Sequence, residues 1–204
     1  MVNNPVGRGF KCFLVATEAI SNHHWKFCRQ SKTTLVKLIL WIIQHVQIRT
    51  GQQVRRICMD GELFANDTLK MQLSLLHIAV EPTGAYTSFQ NGKAEVSIKL
   101  IGLTAQCLMY GAQMDPSFWC FAVTYATFLV NVRPFDAHNG RTPHEVFHKH
   151  APNLSMAFIF GSPLHVKSHR ASRHRPDSNT LLGTFMDFQG TAHRPDSNTL
   201  LGTF

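Results

Sequence analysis

The sequence predicts an α/β fold in which a mostly parallel or mixed sheet is covered by helices. Short apolar runs rich in β-branched and aromatic residues alternate with longer runs at helical spacing. Their order is strand, strand, helix, strand, helix, strand, helix, helix, which suits a layered α/β domain. Hydrophobic residues make up 44% and charged residues 16% of the 204, enough to bury a core in one domain and unlike a disordered chain.

The elements follow in order. Residues 12–17 (CFLVAT) form an apolar run with β character, and 24–28 read as its hairpin partner. Residues 33–47 are apolar at helical spacing, with Thr34 as a candidate N-cap and Gly51 as the stop. Residues 54–59 (VRRICM) form a strand running into Asp60. A helix over 69–76 leads to a strand over 77–80. Residues 91–110 form a helix with Ala94, Ile98, Ile101, Ala105 and Leu108 on one face and Glu95, Lys99, Gly102 and Gln106 on another. Asp115-Pro116 caps a helix through about Val130. Thr142-Pro143-His144-Glu145 fits a capping box with Pro in the first turn. Residues 174–185 (HRPDSNTLLGTF) recur unchanged at 193–204. Two copies are too few for a solenoid.

Composition removes some classes. The longest apolar stretch, 35–48, is interrupted by Lys37, Gln44 and His45 and is too short to span a bilayer. No signal peptide is visible at the first residues. Five cysteines at irregular spacing, with no CxxC pair, argue against a disulfide framework and for a reducing compartment. His23, His24 and Cys28, and separately His144, His148 and His150, could be drawn as zinc sites, but neither group has a matching pair elsewhere in sequence. Residues 1–59 hold nine Lys/Arg and one acid, Glu18, a net of +8, while the remaining 145 hold 11 of each sign. A basic third suits a polyanion such as nucleic acid. It is also what any stretch short of acids looks like.

Two acids stand out. Asp60 ends a strand, and Glu95 opens a helix. Carboxylates converging from a strand end and a helix start bind hard divalent ions through oxygen, and paired ions can support phosphoryl transfer. Each acid alone has a plain structural use, since Asp before Gly is a common turn and Glu suits a first helical turn.

The residues around these acids resemble the catalytic core of copia-type retrotransposon integrases. Met59-Asp60-Gly61-Glu62-Leu63-Phe64 is similar to the family's second-acid motif, an Asp followed by Asn-Gly-Gly-Glu and an aromatic. Ala85-Tyr86-Thr87-Ser88-Phe89-Gln90-Asn91-Gly92-Lys93-Ala94-Glu95 is similar to the third-acid motif, in which Tyr-Thr-Pro-Gln-Gln-Asn-Gly leads to the catalytic Glu. The likeness continues through Ser117-Phe118-Trp119, Ala122 and Ala126, Asn131-Val132-Arg133-Pro134, Thr142-Pro143-His144-Glu145 and Pro152-Asn153-Leu154.

The resemblance implies a ribonuclease-H-like mixed sheet flanked by helices over residues 1–155, followed by an extension over 156–204. It implies that Asp60 and Glu95 are catalytic carboxylates and ligands of Mg²⁺ or Mn²⁺. Lys99 and Asn91 would contact nucleic acid, Lys99 as a point charge on the phosphate backbone. An i,i+4 ion pair between Glu95 and Lys99 would be compatible with that role. The partners implied are DNA and further copies of the chain, with no membrane and no small-molecule substrate. The location implied is intracellular, and nuclear if the chain functions.

Departures from the family pattern set limits. The first acid should sit in an Asp-x-x-Gly-Pro segment before the strand at 13–15. Aligning Pro5 with that Pro puts Met1 in the Asp position and Asn4 in that of the Gly. A thioether is a soft ligand and no substitute for a carboxylate on Mg²⁺. Residues 1–59 contain no Asp. The first, central strand of the sheet is expected to be missing, and the chain is expected to be an N-terminally truncated core without catalytic activity. Ser88 replaces a Pro, Val96 replaces a basic residue, and the 34 residues between the two acids are one fewer than in the pattern. The alternative is a non-enzymatic transposon relic or a domesticated DNA-binding or interaction protein.

Overall fold

A computed structural model describes residues 12–29, 35–60, 65–83, 88–155, 157–167 and 180–187. The elements are β1 (Cys12–Thr17), β2 (His24–Arg29), α1 (Leu35–Thr50), β3 (Arg56–Asp60), α2 (Asp67–Leu75), β4 (Ala79–Thr83), α3 (Ser88–Gly111), α4 (Trp119–Val132), α5 (Pro143–His148), β5 (Pro163–Lys167) and β6 (Thr180–Thr184). Short 3-10 turns occupy Pro116–Phe118 and Asp136–His138.

The α/β class holds, but the described strands do not form one sheet. They form three pairs: β1–β2 antiparallel, β3–β4 parallel and β5–β6 antiparallel. Helix α3 joins the first two pairs into a layer, because it packs on β1 and on both β3 and β4. Helix α4 lies against α3 and β2. No strand among the described residues hydrogen-bonds β1–β2 to β3–β4.

The α3–α4 seam is tight because small residues line it. Ala122 and Ala126, one turn apart on α4, are fully buried, as is Ile101 on α3. Val123, Tyr125, Val130, Phe160 and Phe185 complete this core. Residues beyond 156 thus enter the same core. Tyr125 donates its hydroxyl to the Phe158 carbonyl at 2.5 Å, and its ring meets Phe185 edge-on. Gly161 sits at φ +82°, where a Cβ would fall 2.4 Å from that of Ala112, so the close approach and the backbone both require glycine. Within the repeat, 180–184 form β6, while 193–204 lie outside the described residues. A second core gathers Ile43 of α1, Met59 of β3, Leu69 and Leu73 of α2, and Ile78.

The buried face of α3 differs from the expected one. Ile101 and Ala105 face the core, but Ile98 is exposed and Ser97 is buried. The Ser97 hydroxyl donates to the Lys93 carbonyl one turn back, which lets a small polar residue occupy the contact face. The caps agree better with expectation. Gly51 at φ +68° ends α1 as expected, while the candidate cap Thr34 lies outside the described residues; Asn66, not singled out in the sequence, accepts from the Leu69 amide to start α2. Asp115 caps a 3-10 turn before α4 begins at Trp119. Thr142 and Glu145 form the reciprocal capping box on α5.

The cysteines require a correction. Cys28 of β2 and Cys120 of α4, 92 residues apart, are joined as a disulfide with Cα atoms 6.2 Å apart. Irregular spacing gave no sign of the pair because β2 and α4 meet only in the folded chain.

A second long-range tie lies on the same helix. Asn131 accepts from the His24 amide at 2.8 Å and donates to the His24 carbonyl at 2.9 Å. Both groups are buried, so the side-chain amide completes β2 as a neighbouring strand would. Asn131→Ala leaves a buried amide and a buried carbonyl unpaired, each costing about 1–3 kcal/mol. Urea denaturation of this variant should show a loss of about 2–4 kcal/mol. An unchanged midpoint would refute the clamp.

Candidate functional site

Asp60 is the last residue of β3, and its register partner is Thr83, the last residue of β4. The strands are parallel, so both chains leave the sheet at one end. Helix α3 begins at Ser88, five Cα steps beyond Thr83, a reach of at most about 19 Å. The carboxyl ends of β3 and β4 lie together, and α3, which follows β4, packs on both strands. The side chains of Asp60 and Asn91, and residues 61–64 and 84–87 of the two motifs, lie outside the described residues.

Glu95 and Lys99 are exposed on α3. Because α3 starts three residues earlier than expected, Glu95 stands two turns into the helix, beyond the first-turn amides that would favour its charge. The expected Glu95–Lys99 ion pair does not form. The ion pairs among the described residues are Arg56–Glu81 and Asp67–Lys70. Both α3 side chains thus face solvent.

The start of α3 also contacts the β1–β2 turn, since Lys93 donates to the Ala19 carbonyl at 2.6 Å. Glu18, the only acid before Asp60, is committed to that turn. It accepts from the Ile20 amide and from the Ser21 amide and hydroxyl. Burial raises its pKa, but these hydrogen bonds and Lys93 outweigh burial and hold it below the usual range. Glu18 is a turn-former here and does not stand in for a metal-binding acid.

Members of the two histidine groups that the sequence offers separately meet beyond this turn. His23 is buried, with its ring stacked on Phe147 of α5 and edge-on to Trp25 and His148. His144 and His148 sit one turn apart on α5, with ring centroids 4.4 Å apart. The His-x-x-x-His spacing of 144 and 148 was the available signal. Its partner His23 is 121 residues upstream and invisible to local pattern. Among the described residues, no three His, Cys, Asp or Glu side chains already converge on a metal position, and no helix is long and apolar enough to cross a membrane.

No family model matches the sequence. Solved structures are similar. A chain of the simian T-cell lymphotropic virus intasome in complex with PP2A regulatory subunit B56 gamma aligns with TM-score 0.55 and 15% identity, over 75% of this chain and 55% of that one. The chain therefore spans about half the length of that relative. The HTLV-2 integrase catalytic core domain in complex with magnesium, in a trimeric form, aligns with TM-score 0.50 and 18% identity, over 67% of this chain and 84% of that one. The mixed α/β fold is thus similar to that of retroviral integrase catalytic cores.

The histidines set the acid response of this fold. Burial lowers the pKa of His24 to about 4, with Lys93 adding to the effect. Burial, then the neighbouring histidines, brings His148 to about 4 and His23 well below its ordinary value. These rings are neutral when folded and charge at pH 6.5 when unfolded, so the unfolded chain binds more protons between pH 6.5 and about 4. Stability is complete above pH 6.5 and is lost as pH falls through that window. The melting temperature should drop between about pH 7 and 5, above the carboxylate range. A flat profile there would contradict this burial.

Proposed function

We propose that the chain is an integrase-type polynucleotidyl-transferase core of the copia-type retrotransposon class that lacks a complete acidic triad. The observation that supports this reading most is the shared exit of β3 and β4 at Asp60 and Thr83 beside the start of α3. That arrangement offers Asp60 and Glu95 to one end of the layer, where the two sequence motifs resemble the second and third acids. Both are hard oxygen donors and fit Mg²⁺ or Mn²⁺ in donor type. They fall short in number, because residues 1–59 contain no Asp and Glu18 is bound into its turn. When bound, a divalent ion in such a site supplies charge for phosphoryl transfer. This chain assigns only two ligands to it, and we assign it no catalytic step.

In this reading the β1–β2 and β3–β4 pairs are two halves of a mixed sheet that a central strand would join, with α3 spanning the interruption. Residues 1–155 form the core-like unit and 156–204 an extension of it. DNA is the partner, met by Asn91 in the first turn of α3, by Lys99 near its middle and by the basic first third of the chain. Assembly with further copies, and a nuclear site of action, belong to the same proposal. A non-enzymatic relic or a DNA-binding protein is the second reading, favoured by the commitment of Glu18 to its turn.

A strand-transfer and end-nicking assay with Mn²⁺ tests the proposal, alongside DNA affinity at several salt concentrations. We expect no joining, and binding that weakens steeply with salt. Lys99→Ala should weaken binding uniformly across sequences and lower the salt slope by about 1. Robust joining abolished by Asp60→Asn would overturn the inactive reading. No salt-dependent affinity would leave only the relic.

A further inference from the structure

Beside the β1–β2 turn, four imidazoles gather from two segments of chain, residue 23 and residues 144–150. The ring centroids of His23 and His148 are 5.2 Å apart, those of His144 and His148 4.4 Å, and those of His23 and His144 6.4 Å. His150, just past α5, is 5.2 Å from His144 and 5.7 Å from His148. Two imidazole nitrogens bound tetrahedrally to one zinc ion at about 2.0–2.1 Å put their ring centroids about 5 Å apart. The observed spacings bracket that value.

The hydrogen bonding of the cluster is incomplete in a way that suits a metal. Nδ1 of His23 and Nδ1 of His144 are buried with no hydrogen-bond partner, and His23 itself is 7% exposed. A buried polar nitrogen left unsatisfied is costly and uncommon. The rings are held neutral mainly by burial, so no proton need be lost before a metal binds.

We propose that His23, His144 and His148 form a binding site for a late first-row divalent ion, zinc above all, with His150 in reach as a fourth ligand. As the side chains stand, no three of them are placed to hold a metal ion, so the site requires a rotamer change. His144 and His148 are only half-buried, so their side chains are the ones that turn to close the 6.4 Å gap to His23. Nitrogen donors separate this site from the carboxylates, which suit Mg²⁺ or Mn²⁺. Glu145, between the two α5 histidines, accepts from the Thr142 amide at 2.7 Å as the helix cap. The site therefore holds a metal, and we give it no hydrolytic step. Its effect is to pin the β1–β2 turn to α5, and it does not rest on the integrase reading.

The test uses the full chain, stripped with a chelator and titrated with Co²⁺ while visible absorption is followed, then with competing Zn²⁺. We expect one equivalent of Co²⁺ in a tetrahedral spectrum, displaced by Zn²⁺, and a higher melting temperature with Zn²⁺. His144→Gln and His148→Gln should each weaken Zn²⁺ at least tenfold, whereas His165→Gln, exposed on β5, should leave affinity unchanged. His23→Phe keeps an aromatic ring against Phe147, and should also lose the metal while its metal-free melting curve reports folding. No saturable binding, or equal loss in the His165→Gln control, would overturn the site.

Discussion

The packing of α3 is the constraint on which the molecule depends. It is the one helix in contact with β1, with both strands of the β3–β4 pair and with α4, so it holds together two strand pairs that share no hydrogen bonds among the described residues. Ile101 meets Ala122 and Ala126 on its buried side. Its solvent side carries Glu95 and Lys99. One element therefore serves as both the beam of the fold and the platform of the candidate carboxylate site. A change in its register would move both.

Around that beam, side chains tie the β1–β2 pair to distant helical residues. Asn131 pairs with both backbone groups of His24, and Cys28–Cys120 fastens β2 to the same helix. His138 meets the Ser21 carbonyl at 3.0 Å, binding the segment after α4 to the β1–β2 turn. These ties run from one hairpin to residues more than ninety positions away. They keep a short two-stranded unit in place where hairpins alone are only marginally stable.

The legibility of the sequence follows the range of each interaction. The capping box at Thr142 and Glu145 was readable because it closes within four residues. Strand β3, its Asp60 terminus and helix α3 were readable from periodicity and from motif context. The expected single mixed sheet was not borne out among the described residues, which pair only two by two. The core face of α3 was misread because Ser97 satisfies its hydroxyl internally and Ile98 turns outward. The disulfide and the histidine cluster were illegible because their partners meet only through tertiary packing. The His144/His148 spacing was visible in the sequence, but His23 could be joined to it only in the folded chain.

The carboxylates remain the centre of the functional account. The proposed function assigns Asp60 and Glu95 to one ion, and Glu18, bound into its turn, is not a third ligand. The most direct test is Mn²⁺ binding followed by electron paramagnetic resonance on the full chain. The account predicts weak saturable binding that Asp60→Asn and Glu95→Gln each abolish. Binding that survives both substitutions would contradict it.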